Sequence, residues 1–240
     1  MRKLLAVCCL ALAVLPLRAQ QPASETVSWD QLIVPGLLIG AGTVASFSPW
    51  YQDNVDTPLQ NWAIGINGGK GFPLDNCLQF LPYIGYAAAL PFAESEHTWQ
   101  EKILVMGTSV SVMMVLVYGT KYLTGVGRPN TFNNMSFPSG HTALAFAGAE
   151  IVRREYGPWW GLAAYSAAVA TGLLRVYNNW HWSSDVIAGA GAGILSGMIA
   201  YWLLPWEREV FSIGKANVTA APSLAQVPVS VPVMSIRFSW

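Results

Sequence analysis

The sequence is short of charge. Lysine, arginine, aspartate and glutamate make up only 11% of the 240 residues, and 13 basic residues balance 13 acidic ones. The chain therefore lacks the basic field with which proteins attract nucleic acid, so we expect no nucleic-acid partner. Hydrophobic residues make up 53%, and there are 11 tryptophans. This is more apolar than a soluble domain of this length requires, so the composition predicts a membrane protein.

Cysteine and histidine are also scarce. Of the three cysteines, Cys8 and Cys9 lie in an N-terminal apolar run and Cys77 stands alone, so a processed chain cannot form an internal disulfide. There are only three histidines, and no cluster of cysteine, histidine and carboxylate side chains has metal-ligand spacing. The sequence therefore predicts neither a metal nor another cofactor.

The polar residues that the chain does have are concentrated in three short segments of its second half. The segments contain Lys121 with Arg128-Pro129, then Pro138-Ser139-Gly140-His141, then Arg175 with His181 and Asp185. They supply three cations, two imidazoles and one carboxylate, which can bind a phosphate dianion, attack its phosphorus and protonate the leaving group. Each segment alone is more often structural, as a helix cap or an end-of-helix cation. Together they favour a phosphate site.

The two histidines in these segments suggest separate catalytic roles. His181 and Asp185 are four residues apart, so in a helix they would share one face, and the carboxylate would hold the imidazole in one tautomer. This predicts His181 as the nucleophile, with a phosphohistidine intermediate. His141 is then the general acid for the leaving alkoxide, and later the base that activates water.

The remaining residues of the three segments are predicted to bind the phosphate. Ser139 and Gly140 open an apolar run, so we expect them to begin a helix whose N-terminal amides face an anion. Lys121, Arg128 and Arg175 would neutralise the non-bridging oxygens, for which the planar guanidinium is well shaped.

The pattern Lys-x6-Arg-Pro, Pro-Ser-Gly-His, Arg-x5-His-x3-Asp resembles the three-part signature of the type 2 phosphatidic acid phosphatase superfamily. That superfamily includes membrane lipid phosphatases, bacterial acid phosphatases and vanadium haloperoxidases. Every spacing matches over residues 121–185, and one departure is Leu174, where the family usually has serine. The resemblance implies the same roles for the same residues, and catalysis without a metal.

The resemblance implies a membrane phosphatase that removes a phosphate monoester or pyrophosphate from a lipid. The candidate substrates are lipid A phosphate, phosphatidylglycerol phosphate, undecaprenyl pyrophosphate and phosphatidate, and a compact core with a cleavable signal favours the lipid A phosphatases. Two alternatives stay open: a broad-specificity acid phosphatase, and a non-catalytic protein that binds or transports phosphorylated lipids. A vanadium haloperoxidase fits less well, because it usually needs a larger, soluble scaffold.

The apolar segments predict an all-α, membrane-embedded bundle of about five or six helices. They cover residues 32–47, 78–92, 103–123, 143–152, 159–174 and 186–204, with polar connections at 49–75 and 125–137. Glycine and alanine recur in several of them, and such small residues allow membrane helices to approach closely.

Three regions follow from this pattern. Residues 1–19 are typical of a cleavable secretory signal. Residues 20–211 are predicted to form the membrane phosphatase domain, with its catalytic core at 100–205. Residues 212–240 are predicted to form a short irregular or strand-like tail.

Two features of the sequence disagree about the orientation of the chain in the membrane. Arg153-Arg154 and Arg208 follow apolar segments, which favours a cytoplasmic position for these ends and a periplasmic active site at the inner membrane of a bacterium. A secreted N-terminus allows this only if one of the two early apolar segments does not cross. Either residues 32–47, which Pro35 and several glycines interrupt, lie in the interface, or the site faces the cytoplasm. We favour the first, because the lipid phosphatases that the chain resembles commonly work outside the inner membrane.

Overall fold

The structure is a computed structural model, and it describes residues 28–89 and 95–213. Within these ranges every regular element is helical, which confirms the predicted all-α fold. The predicted signal at residues 1–19 lies outside the described residues, and so does the predicted tail, except for residues 212 and 213.

Nine α-helices follow one another along the described part of the chain, six of them with 11 residues or more. They are α1 (Trp29–Ser46), α2 (Pro49–Tyr51), α3 (Thr57–Asn67), α4 (Asp75–Leu78), α5 (Leu81–Ala88), α6 (Trp99–Thr124), α7 (Gly140–Tyr156), α8 (Pro158–Tyr177) and α9 (Ser183–Val210). A π-helical turn, Gln52–Asp56, joins α2 to α3.

Two of these helices, α6 and α9, are long and apolar enough to cross a membrane. A third candidate is α1 together with the helical segment Pro49–Asn67, bent by 82° at the break between them. These helices identify the chain as a membrane protein.

Helix α9 lies at the centre of the bundle, against α1, α6 and α7. Its glycines allow this packing, because a Cβ at Gly189 would lie 2.6 Å from the carbonyl oxygen of Ser139, and one at Gly193 would overlap the carbonyl oxygen of Ala143. On the opposite side, a Cβ at Gly42 of α1 would lie 2.5 Å from the backbone nitrogen of Ala188. The predicted close approach through small residues is therefore present.

The bundle has two functionally different ends. The site end is where α6 and α8 end and where α7 and α9 begin, so it gathers the three sequence segments described above. The far end is where α7 and α9 finish. There Arg208 donates to Glu101 over 2.5 Å, and Arg154 donates to Glu150 over 2.7 Å.

Helix α1 packs against α9, and the position of residues 32–47 in the membrane interface stays a prediction. At the far end Arg154 donates to the side chain of Gln31 over 2.7 Å, and towards the site end Gly42 contacts α9. Pro35 lies inside this helix, and its carbonyl oxygen packs against Gly191, where a Cβ would lie only 2.7 Å away.

The expectation of a polar connection at residues 49–75 is wrong over most of that range, which is helical. The Ser48 hydroxyl accepts a hydrogen bond from the Tyr51 amide over 3.3 Å, and Pro49 occupies the first helical position, so a helix begins here. It ends at Gly68, whose φ of 61° is the left-handed value that a helix C-terminus favours. The turn residues therefore act as caps.

We expect Gly193→Ala to destabilise the fold, because its methyl group would enter the backbone of α7. Overpacking of this kind typically costs about 1–3 kcal/mol. The matched control is Gly119→Ala in α6, where nothing lies within 4 Å of the new Cβ and the better helix propensity of alanine is favourable. Thermal unfolding in detergent, followed by circular dichroism, tests the difference. Equal melting temperatures for the two variants would contradict this account of the α7–α9 contact.

Candidate functional site

The structure brings the eight predicted site residues to the site end. Lys121 is in the last turn of α6, Arg128 follows it in a loop, and Arg175 is in the last turn of α8. The others lie at the beginnings of α7 and α9: they are Ser139, Gly140, His141, His181 and Asp185. We call the group of three cations around His181 the cation pocket.

His181 lies just before α9 and not within it, which corrects the helical geometry expected from the sequence. The helix begins after Trp182, and Asp185 is in its first turn, where its Oδ2 accepts from the Trp182 amide over 2.9 Å. This capping contact turns the chain back, so that His181 Nδ1 lies 3.3 Å from the same carboxylate oxygen. The predicted contact is thus made by a helix cap. With Nδ1 on Asp185, the lone pair of the neutral ring is on Nε2.

Ser136 completes this arrangement, and sequence analysis missed it. Its hydroxyl donates to Asp185 Oδ2 over 2.5 Å and lies 3.4 Å from His181 Nδ1. Gln60 fixes the ring from the backbone side, because its side-chain amide donates to the carbonyl of His181 over 2.8 Å. Both contacts limit the rotation of the imidazole.

The charge state of His181 suits a nucleophile. The side chain is buried, which lowers the pKa of the imidazole well below its ordinary value, and the positive charges of Lys121, Arg175 and Arg128 lower it further. The ring is therefore neutral at pH 7 and keeps a lone pair.

Arg175 is held on one side only. Its Nη1 donates to Asp75 Oδ2 over 2.5 Å, and its guanidinium lies 5.3 Å from the centre of the Trp180 ring. The Asp75 carboxylate is fixed in turn by Asn178, which donates to Oδ1 over 2.9 Å. By contrast, Nε of Arg175 is buried and has no hydrogen-bond partner among the described residues. This edge of the guanidinium can donate to an anion.

The other two cations are positioned by neutral groups. Lys121 Nζ donates to the carbonyls of Met135 and Ser136 over 2.7 and 2.9 Å. Arg128 Nε donates to the Asn133 side chain over 2.9 Å, and burial together with the charge of Arg175 lowers the pKa of its guanidinium. Like charges confined away from water repel one another, so a bound dianion would stabilise the pocket.

The beginning of α7 provides a second set of donors. Ser139 is the N-cap, as predicted, but its side chain does not cap the helix and instead accepts from Thr142 over 2.9 Å. The first amides of α7 are therefore available to a phosphate oxygen. In the same turn, His141 Nε2 lies 3.0 Å from the side-chain oxygen of Asn76.

Helix α4 contributes two of these contacts, Asp75 to Arg175 and Asn76 to His141. Neither was found from the sequence, because both residues lie about 65 to 100 positions before their partners. Asp56 was missed for the same reason: it accepts from the Ser183 amide over 2.9 Å and from the Ser184 hydroxyl over 2.9 Å, and so holds the beginning of α9. The one available signal was the presence of acids in so apolar a chain.

Comparisons with known proteins match the part of the chain that contains these residues. Residues 102–209 match the sequence model of the PAP2 superfamily. The chain is 35% identical over 155 residues to the lipid A 1-phosphatase of Porphyromonas gingivalis, an alignment that covers 62% of this chain and 35% of that protein. It is 34% identical over 73 residues to the bacitracin transport permease protein BcrC of Bacillus licheniformis, which covers 29% of this chain and 34% of that protein. The chain thus spans about a third of each relative.

A solved structure shows the same fold. The crystal structure of a transmembrane PAP2 type phosphatidylglycerolphosphate phosphatase from Bacillus subtilis aligns with a TM-score of 0.51 and 20% sequence identity. The alignment covers 77% of this chain and 99% of that one.

We expect Asp75→Asn to lower kcat/KM for phosphate release by about tenfold or more, because the guanidinium of Arg175 would lose the charged partner that orients it. Asp53→Asn is the matched control, since Asp53 is exposed on the π-helical turn. Phosphate release and thermal unfolding are measured for both variants. Equal activity in the two would show that Asp75 does not position Arg175.

Proposed function

We propose that the chain is a membrane lipid phosphatase, because residues 102–209 match the sequence model of the PAP2 superfamily, in agreement with the resemblance found in the sequence. It hydrolyses a phosphate monoester or pyrophosphate of a lipid. The observation that carries the proposal is the cation pocket, in which a neutral, buried His181 backed by Asp185 lies among three cations. Such a pocket suits a phosphate dianion and a nitrogen nucleophile.

In the first step, Nε2 of His181 attacks the phosphorus and the bond from phosphorus to the leaving oxygen breaks. His141 gives its proton to that oxygen, and a phosphohistidine forms. Lys121, Arg128 and Arg175 neutralise the non-bridging oxygens, while Asp185 stabilises the positive charge of the His181 ring. Burial and the charge of Arg175 lower the pKa of His141 to about 4, and the two negative charges of the substrate act in the opposite direction.

In the second step, water attacks the phosphorus and the bond to Nε2 breaks. His141, now neutral, takes a proton from the water, which leaves inorganic phosphate and restores the neutral His181. No step requires a metal, so we propose metal-independent hydrolysis.

For the substrate we propose a lipid A phosphate, supported by the name of the Porphyromonas gingivalis relative. Phosphatidylglycerol phosphate, undecaprenyl pyrophosphate and phosphatidate are the other candidates. A broad-specificity acid phosphatase for soluble esters is disfavoured by the two long apolar helices. Non-catalytic binding or transport of a phosphorylated lipid stays as the alternative, since a second relative is named as a transport permease.

The proposal is tested by phosphate release from these four lipids in detergent, with wild-type protein and His181→Ala. We expect wild-type turnover and none in the variant, since no other group can accept the phosphoryl group. His97→Gln is the control, because His97 is the one histidine outside the pocket and contacts Glu155 at the far end.

Three outcomes would count against these assignments. A His181→Ala variant within about tenfold of wild type would contradict the phosphohistidine mechanism. Loss of activity in EDTA would contradict metal independence. Wild-type protein that releases phosphate from none of the lipids would favour the binding or transport alternative.

We further propose that the site end faces the periplasm. The arginines at the far end support this, because basic residues are favoured on the cytoplasmic side. Helix α1 begins at the far end, where Gln31 meets Arg154. A secretory signal that exports residue 28 would place the far end outside, so this orientation and the predicted signal exclude one another.

Single cysteines test the orientation. We expect Asn134→Cys, in the exposed loop at the site end, to react with a membrane-impermeant thiol reagent in intact spheroplasts. Glu209→Cys, exposed at the far end, should react only after the membrane is opened. The native cysteines are first replaced by serine. Labelling in the reverse order would place catalysis in the cytoplasm.

A further inference from the structure

A second cleft lies beside the cation pocket. Its volume is about 390 Å³, and among the residues that the structure describes no charged side chain lines it. We call it the amide cleft, because four of its lining residues are asparagines, and Gly71 and Trp180 also contribute: the asparagines are Asn76, Asn130, Asn178 and Asn179. Two of these amides support the site described above: Asn76 contacts His141, and Asn178 donates to the Asp75 carboxylate that holds Arg175.

One of these amides is held firmly by the protein, and another has a polar atom without a partner. Asn178 is fixed by both of its polar atoms, since it donates to the Phe72 carbonyl and accepts from the Phe72 amide. Asn179 has a φ of 59°, and its side-chain oxygen is buried without a hydrogen-bond partner among the described residues. A buried, unpaired amide oxygen is unfavourable unless a ligand donates to it.

The amide cleft lies next to His141, the residue proposed to protonate the leaving group. In the proposed reaction His141 protonates the leaving oxygen, so the rest of the substrate extends past His141. Asn76, which lines the cleft, contacts His141 over 3.0 Å. Trp180 contacts both the amide cleft and the cation pocket, because it lines the cleft and lies near the guanidinium groups of Arg128 and Arg175.

From these contacts we infer that the amide cleft binds the sugar ring to which the phosphate is attached. Amides donate and accept together, which matches the hydroxyl and amide groups of a sugar. An indole can cover the apolar face of a ring. A glycerol ester with acyl chains would leave the amides unpaired, which costs affinity. The inference rests on the proposed function and selects the phosphosugar among its candidate lipids.

Two variants alter the amide cleft without changing a residue assigned to the reaction. Asn179→Gly removes the amide and keeps the left-handed backbone, which glycine adopts freely. Gly71→Leu fills the cleft, because its Cβ would lie at ordinary contact distance, 3.4 Å, from Asn178. The matched controls are Asn54→Ala, at an exposed amide, and Gly65→Leu, where nothing lies within 4 Å.

The readout is kcat/KM for lipid A and for phosphatidate in the same detergent. We expect wild type to prefer lipid A, and each cleft variant to lose about tenfold on lipid A and less than about twofold on phosphatidate. The controls should leave both values unchanged. Equal losses on both lipids, or no wild-type preference for lipid A, would overturn the sugar assignment while leaving the phosphatase function intact.

A binding measurement separates this inference from catalysis. Glucosamine 1-phosphate and glycerol 3-phosphate are compared by isothermal titration calorimetry with detergent-solubilised protein. Tighter binding of the sugar phosphate, lost in Asn179→Gly, supports the inference, and equal binding of the two overturns it. If wild type hydrolyses no lipid, the proposed function fails and this comparison alone decides what the cleft binds.

Discussion

The structure depends on the confinement of three cations around one histidine in an apolar protein. Burying Lys121, Arg128 and Arg175 together is unfavourable, and the fold compensates with fixed partners: two carbonyls for the lysine, an asparagine for one arginine and Asp75 for the other. Only one of these partners carries charge. The pocket therefore stays electropositive. Burial and this excess positive charge keep His181 neutral, and the excess charge favours a dianion. A second buried carboxylate on Arg128 would have made a more stable pocket and a poorer phosphate site.

The same constraint explains why helix termini, and not helix faces, build the pocket. In the proposed role, His181 needs a carboxylate at Nδ1 and an unoccupied Nε2. The capping contact of Asp185 with Trp182 places the carboxylate at Nδ1, and the position of His181 in a loop before the helix leaves Nε2 unoccupied within the described part of the chain. The backbone then ties the two helix starts together, because the Ser139 amide donates to the carbonyl of Asp185 over 3.0 Å. This bond holds the N-terminal amides of α7 near the loop that carries His181. The small residues along α9 serve this purpose, since they let α7 approach closely enough for the bond.

Much of this was predictable from the sequence, and what was missed has a common cause. The fold class followed from apolar runs, and the eight site residues from spacing within 121–185, because both are local patterns. Asp75 and Asn76 were not predictable, since their partners lie on α8 and α7 and only tertiary packing brings them together. The geometry of His181 and Asp185 was predicted for the wrong reason: four-residue spacing fits a helix face and a capping turn equally well. Residues 49–67 were misjudged because serine, proline and glycine mark helix boundaries as often as loops.

The two ends of the bundle show how a structural charge differs from a functional one. At the far end Glu150 binds both Arg153 and Arg154 and also accepts from Tyr165, while Glu101 binds Arg208. Each of these arginines has a carboxylate partner, so the cluster attracts no further anion and serves to join α7, α8, α6 and α9. At the site end Arg175 keeps a buried Nε without a partner among the described residues, and Lys121 binds only carbonyl oxygens. The two ends both contain buried cations, but they differ in the hydrogen-bond donors that remain for a ligand. A buried cation with an unused donor is favourable only where a ligand accepts from that donor.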